Sequence, residues 1–209
     1  MTANVLIITD VFGHTPAIAS LQRYLGLPCL VVSPFEADFS VHNEQQAYQA
    51  FLAAGGVQAY SIKLREFVRQ QPQLRHVVGF SAGASAWWLS CAEYAHALQS
   101  ASLFYGSRIR DHLDIQSVCN THCIFAEQEN AYQPQLLVQA LRQRGHQAEV
   151  AIGTKHGFMN PYSAGFSLKA QTLYLEFLRH RIAKTTSRPT PRGANSSPTL
   201  VAETGILSY

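Results

Sequence analysis

The hydrophobic positions of the chain gather into six short runs separated by longer, mixed stretches. "NVLIIT" (4–9), "CLVVS" (29–33), "HVVGF" (76–80), "ASLFYG" (101–106), "HCIFA" (122–126) and "AEVAI" (148–152) are bounded and rich in β-branched or aromatic residues. They are apolar at successive rather than alternate positions, which means that both faces are covered, as in a parallel sheet packed between helices. The stretches 16–25, 43–53, 57–70, 82–98, 133–144 and 163–182 have helical character. Strand and helix alternating at this spacing predict a doubly wound α/β domain: a mostly parallel central sheet with helices on both faces. Ligands of such sheets sit at the carboxyl ends of the strands. Two long loops, 33–43 and 107–120, follow strands at that edge.

Composition narrows the picture. With 209 residues, 47% of them hydrophobic and 14% charged, one domain with a sizeable core is expected over residues 1–183. After His180 the chain turns to Ser, Thr and Pro without helical periodicity, so 184–209 is expected to be a flexible tail. A formal charge of +3 with scattered Lys and Arg supplies no basic stripe, which argues against a nucleic-acid partner. The N-terminus has no basic start, and its apolar run is far shorter than the ~20 residues that cross a bilayer, so neither signal peptide nor membrane partner is expected. The expectation is a soluble, cytoplasmic protein.

Cys29, Cys91, Cys119 and Cys123 lie in or beside apolar runs and read as reduced, buried thiols. "CNTHC" (119–123), with His112 upstream, has the residue types of a zinc site but no second ligand pair. Alternate residues of 121–126 would also point to opposite sides of a strand. No metal or other cofactor is expected.

The chemistry centres on "VVGFSAGASAWW" (77–88). Gly79, Ser81 and Gly83 form G-x-S-x-G between a strand and a helix that starts at 82. That spacing suits a serine on a sharp, strained turn, where a side chain at either glycine would strike the adjoining strand or helix. A small residue at an ordinary turn is the competing reading. A serine hydroxyl becomes a nucleophile only when a base takes its proton and a carboxylate orients that base. His156, in "GTKHGFMNP", follows the last strand and precedes the last helix, at the ligand edge. His76, His96, His146 and His180 begin a strand or lie on or beside helices. For the acid, "CIFAEQENAYQP" offers Glu129, preferred because it lies a few residues past the strand, and Glu127 as the fallback, with Asp114 third. The backbone N–H of Ala82, at the start of the helix, suits an oxyanion, and a second donor would come from "TDVFGHTP" after the first strand. Trp87 and Trp88 face about 100° apart on their helix, so at least one is expected in the core. His14, Arg108 and Arg110 are candidates for the pocket wall or for solvent.

"TDVFGHT", "GFSAGA", "FYG", "IFAEQEN" and "KHGF" before a final "YLEFLRHRI" stand in an order that resembles the dienelactone hydrolase family of the α/β-hydrolase superfamily, over roughly 4–183. The resemblance implies a three-layer α/β-hydrolase fold without a large lid domain. It also implies Ser81 as nucleophile, Glu129 as acid and His156 as base. Val11 and Ala82 would be the oxyanion-hole donors, with Phe12 and Tyr105 near the substrate. Founding members of that family use Cys and Asp where this chain has Ser81 and Glu129, and the acidic residue at the position of Asp10 there helps to control the resting thiol. Dienelactone is therefore not the expected substrate. The expectation is a serine hydrolase, carboxylesterase- or lactonase-like, acting on a small ester, lactone or thioester. A catalytically silent binding protein with the same fold is the alternative, and the sequence sets no oligomeric state.

Overall fold

The computed structural model describes residues 2–36, 43–93 and 98–186. All six apolar runs form strands: β1 (Val5–Ile8), β2 (Cys29–Val32), β3 (His76–Phe80), β4 (Ser100–Phe104), β5 (Asn120–Gln128) and β6 (Gln147–Lys155). They make one sheet in the order β2-β1-β3-β4-β5-β6, with every adjacent pair parallel. The helices are α1 (Pro16–Leu25), α2 (Glu44–Ala53), α3 (Gly56–Arg69), α4 (Ala82–Ser90), α5 (Pro134–Gln143) and α6 (Leu168–Thr186).

Strand pleating sorts the core into two layers, because successive side chains point to opposite faces. Leu6 and Ile8 of β1 pack with α3, α4 and α5, including Leu64, Trp87, Trp88 and Leu141. Val5 and Ile7 pack on the other face with Leu21 and Leu25 of α1 and Tyr174 and Leu178 of α6. The result is the three-layer α/β arrangement that the resemblance implies, and no large lid insertion interrupts the described residues. Both tryptophans are fully buried. Trp88 also donates its indole N–H to the His112 carbonyl at 2.8 Å, tying α4 to the loop after β4.

The strand order reverses direction between β1 and β3, and the crevice at such a switch point is where doubly wound sheets hold ligands. The residues following β1 and β3 are Thr9–Val11 and Ser81. Their approach is fixed by Gly83, whose Cβ, if it had one, would lie 2.4 Å from the Thr9 carbonyl oxygen and 2.7 Å from that of Ile8. Gly79 is tight as well: an added Cβ would stand 3.0 Å from the Ala84 Cα.

Several boundaries differ from the expected ones. Helix α4 stops at Ser90, whose hydroxyl bonds back to the Ala86 and Trp87 carbonyls, and a short 3₁₀ turn follows at Cys91–Glu93. Helix α6 starts at 168 rather than 163, since residues 160–166 close successive turns in which Ser163 N–H donates to Asn160 O and Phe166 N–H to Ser163 O. It then runs through Thr186, past the expected start of the tail. Residues 187–209 of that tail, 37–42 of the loop after β2, and His96 lie outside the described residues. The loop after β4 is partly ordered as a 3₁₀ turn at Ser107–Asp111.

His76 is 1% exposed at the start of β3, 3.0 Å from the Ser100 hydroxyl. Burial, with Arg181 and Arg75 nearby, pushes its pKa down to about 4 from 6.5. The unfolded chain therefore binds a proton that the folded chain refuses, so stability is complete above pH ~6.5 and declines as pH falls through about 4, by up to about 3 kcal/mol. Urea titrations across this window should show that decline, and His76→Asn should flatten it. A second prediction concerns the elbow. Gly83→Ala should cost about 3 kcal/mol and lower Tm by roughly 6–12 °C, because the methyl group meets backbone rather than a movable side chain. Gly145→Ala, where an added Cβ meets nothing within 4 Å, should cost only the left-handed backbone strain of about 1 kcal/mol. Scanning calorimetry of both variants checks the contrast.

Candidate active site

Ser81 has φ 47° and ψ −110°, a conformation that L-residues rarely adopt. Such strain costs on the order of 1–3 kcal/mol and persists only where the surroundings over-determine it. Here Ser81 N–H donates to Phe104 O at 2.9 Å, and the Ser81 carbonyl accepts from both the backbone N–H and the hydroxyl of Ser85, each at 3.0 Å. The turn is thus pinned to the end of β4 and to the first turn of α4, leaving the Ser81 hydroxyl facing outward over the strand ends.

The Ser81 Oγ lies 2.8 Å from His156 Nε2, and His156 Nδ1 lies 2.8 Å from Glu129 Oε1. A carboxylate only accepts, so Nδ1 carries the imidazole proton and donates to Glu129, which leaves Nε2 free to accept from the serine. The Glu129 side chain is 6% exposed and that of His156 is 32% exposed. The acid is sheltered from water, and the base faces the cavity. Tyr105, itself at positive φ (42°), packs its ring edge-on at 5.1 Å from the imidazole and limits the ring's rotation.

Glu127, the fallback acid, is engaged elsewhere. Its Oε2 accepts the Gly153 N–H at 2.8 Å. The β5–β6 register slips at this point: Ala126 faces Ala151, whereas Gln128 faces Lys155. Two extra residues of β6 are accommodated there, with Gly153 at φ 75°. Glu127 thereby holds the irregularity just before His156, and Glu129 meets the imidazole. Asp114 is exposed in the loop after β4.

Val11 and Ala82 line the same cavity as Ser81 and His156, a cleft of about 670 Å³. Its wall is apolar at Phe51, Leu52, Val57 and Leu89 and charged at Glu44, Arg108 and Asp111. Arg108 and Arg110 both pair with Asp111, at 3.3 and 3.5 Å, and Arg110 also donates to the Ser107 carbonyl and lies over the Tyr132 ring. Phe12 packs against Tyr162, and Tyr105 stands behind His156; neither is part of the cavity wall. His14 is exposed.

Three groups near the site carry no motif. Glu44, at the first turn of α2, accepts from the Ser163 hydroxyl at 3.2 Å and so ties α2 to the loop after His156. Ser85 caps the Ser81 carbonyl. Asn160 donates to buried Asp10. Burial raises the Asp10 pKa, with Asn160, the Phe12 N–H and His156 acting against that rise.

All four cysteines are free thiols, and burial raises each pKa. Among the described residues no three His, Cys, Asp or Glu side chains gather as metal ligands, and no helix is long and apolar enough to cross a membrane.

No family model matches the chain. A protein of Bacillus subtilis (strain 168) described as uncharacterised, YczH, is 28% identical over 172 residues, which cover 78% of this chain and 84% of that one. Among solved structures, a provisionally assigned dienelactone hydrolase from Klebsiella pneumoniae subsp. pneumoniae MGH 78578 superposes with a TM-score of 0.63 at 18% identity, covering 90% of this chain and 88% of that one. Est1E from Butyrivibrio proteoclasticus superposes with a TM-score of 0.56 at 11% identity, covering 90% and 89%. Arabidopsis thaliana SOBER1 does so with a TM-score of 0.53 at 10% identity, covering 90% and 100%. At these identities the likeness is one of fold alone: a parallel central sheet with helices on both faces.

Proposed function

We propose that this chain is a serine hydrolase that cleaves a small ester, lactone or thioester through an acyl-enzyme on Ser81. The observation that carries this reading is the continuous Ser81–His156–Glu129 chain, with both contacts at 2.8 Å, on a serine held in strained backbone geometry. An ordinary strand-to-helix turn has no need of either feature. The names of similarly folded structures, a provisionally assigned dienelactone hydrolase among them, agree with this class of chemistry.

In this mechanism His156 Nε2 takes the Ser81 proton as the oxygen attacks the carbonyl carbon. Glu129 holds the imidazole in the required tautomer and stabilises the imidazolium that forms. The tetrahedral oxyanion is held by the N–H groups of Val11 and Ala82, and the positive end of the α4 dipole adds to that field. Protonated His156 then gives its proton to the leaving oxygen or sulfur, completing the acyl-enzyme. Water, deprotonated by His156, releases the acid by the same steps in reverse. The 670 Å³ cleft has room for an acyl or alcohol part well beyond acetyl.

A fluorophosphonate probe should label wild type but not Ser81→Ala, and Ser81→Ala should lose p-nitrophenyl ester hydrolysis by about 10⁶-fold in kcat, that is, to the assay floor. A folded wild type that neither labels nor hydrolyses a panel of short esters would sink the proposal in favour of a binding protein. The two glutamates should separate in the same assay. Glu129→Gln should lower kcat by about 10⁴-fold, as expected when the acid partner of a triad is neutralised. Glu127→Gln retains an acceptor for Gly153 and should stay within about tenfold of wild type.

A further inference from the structure

Acyl transfer through Ser81, His156 and Glu129 gives Asp10 no task, yet this carboxylate is only 7% exposed and both of its oxygens are bonded. Burying a carboxylate costs several kcal/mol unless its partners compensate. The partners here lead in two directions. Oδ1 accepts the Phe12 N–H at 3.0 Å, and the Asp10 carbonyl accepts the Gly13 N–H at 3.2 Å, so Asp10 closes the turn that carries Val11. Oδ2 accepts the Asn160 side-chain N–H at 2.6 Å. Asn160 belongs to the loop of His156: its own N–H donates to Gly157 O at 2.8 Å, its side-chain oxygen accepts from Tyr162 N–H at 2.9 Å, and its carbonyl accepts from Ser163 N–H at 3.0 Å.

Resting on the acyl-transfer reading, we propose that Asp10 and Asn160 form a clasp that sets the distance between the Val11 loop and the His156 loop, making Asp10 a positioning residue for the reaction. The two loops bear the groups that must respond together. As Ser81 attacks, negative charge appears beside Val11 and positive charge on His156. Asp10 bonds the backbone next to the first and lies close enough to the second to interact with it electrostatically. Glu44, Tyr60 and Tyr105 also face Asp10: Glu44 adds to the cost of its charge, while that charge, with burial, pushes both phenols up and keeps them neutral. A neutral serine or asparagine would close the Val11 turn without that cost. What a carboxylate adds is a short, charge-assisted bond to Asn160, a residue 150 positions away.

The clasp makes a testable demand because its two halves can be exchanged. Asp10→Asn sets an amide donor against the Asn160 amide, or costs Phe12 its acceptor. Asn160→Asp sets two carboxylates against each other. In the D10N/N160D double variant, the amide at position 10 accepts from Phe12 and donates to the carboxylate at position 160, which still accepts from Tyr162. With p-nitrophenyl butyrate, each single variant should lose about 10²-fold in kcat with little change in KM, the scale expected of a displacement near 1 Å. The exchange should restore kcat to within about tenfold of wild type. Thermal unfolding of all the variants establishes that they are folded. Should a single variant fail to fold, Asn160→Ser, whose shorter side chain withdraws the amide donor from Asp10 without adding charge, should show the same loss in kcat at constant KM.

Folded single variants with wild-type kcat would overturn the clasp, as would a folded exchange variant no better than the worse single. A wild type without labelling or hydrolysis would overturn the acyl-transfer reading and the clasp with it. An active wild type with indifferent single variants would overturn the clasp alone.

Discussion

The site depends on how closely the first turn of α4 approaches the end of β1. At Gly83 the gap to the Ile8 and Thr9 carbonyls excludes even a methyl group, and this contact sets the position of everything nearby. It draws the N-terminus of α4 over the switch point, so that Ala82 and Val11, from elements far apart in sequence, share one cavity wall. It also forces the turn preceding the helix into the positive-φ geometry of Ser81. The strain is held in place by the bond to Phe104 and by the double cap from Ser85. A serine hydroxyl on a sharp turn is thus a consequence of packing two backbones together, before any histidine is considered.

Two buried carboxylates then divide the electrostatic work. Glu129 meets the imidazole directly and is sheltered from water, where attraction between opposite charges is least screened. Asp10 is bound to loop backbone and to an amide, and its burial raises its pKa. Separate partners let the two acids serve different ends, one on the ring and one on the loops around it.

The sequence made the sheet, the helices and the elbow readable because each is a local pattern: apolar runs of strand length, helical stretches, and a glycine-serine-glycine spacing. The order of serine, acid and histidine was readable for the same reason. Which glutamate meets His156 was not, since Glu127 and Glu129 are two residues apart and would share a face in a regular strand. The register slip in β6 gives them different partners, and the Glu127 bond to Gly153 within it spans 26 residues. Asn160 and Glu44 carried no signal either. Their partners lie 150 and 119 positions away, and nothing in "GFMNP" or at the start of α2 indicates that distance. The late start of α6 follows from the same loop, where Asn160 and Ser163 draw the backbone into turns that helical periodicity does not register.

The presence of glutamate rather than aspartate at position 129 follows from this geometry. Strand β5 runs to Gln128, so the acid stands directly after its last residue instead of partway along a loop. From there a carboxylate must cross to a histidine that directly follows the neighbouring strand. The additional methylene of glutamate supplies reach that a longer loop would otherwise provide. Carrying the carboxylate so close to the strand leaves it with little backbone freedom, and that rigidity fixes it against one orientation of the imidazole. The β6 irregularity completes the arrangement: with two extra residues taken up between Ala151 and Lys155, Lys155 rather than Gly153 stands opposite Gln128, and His156 follows beside Glu129.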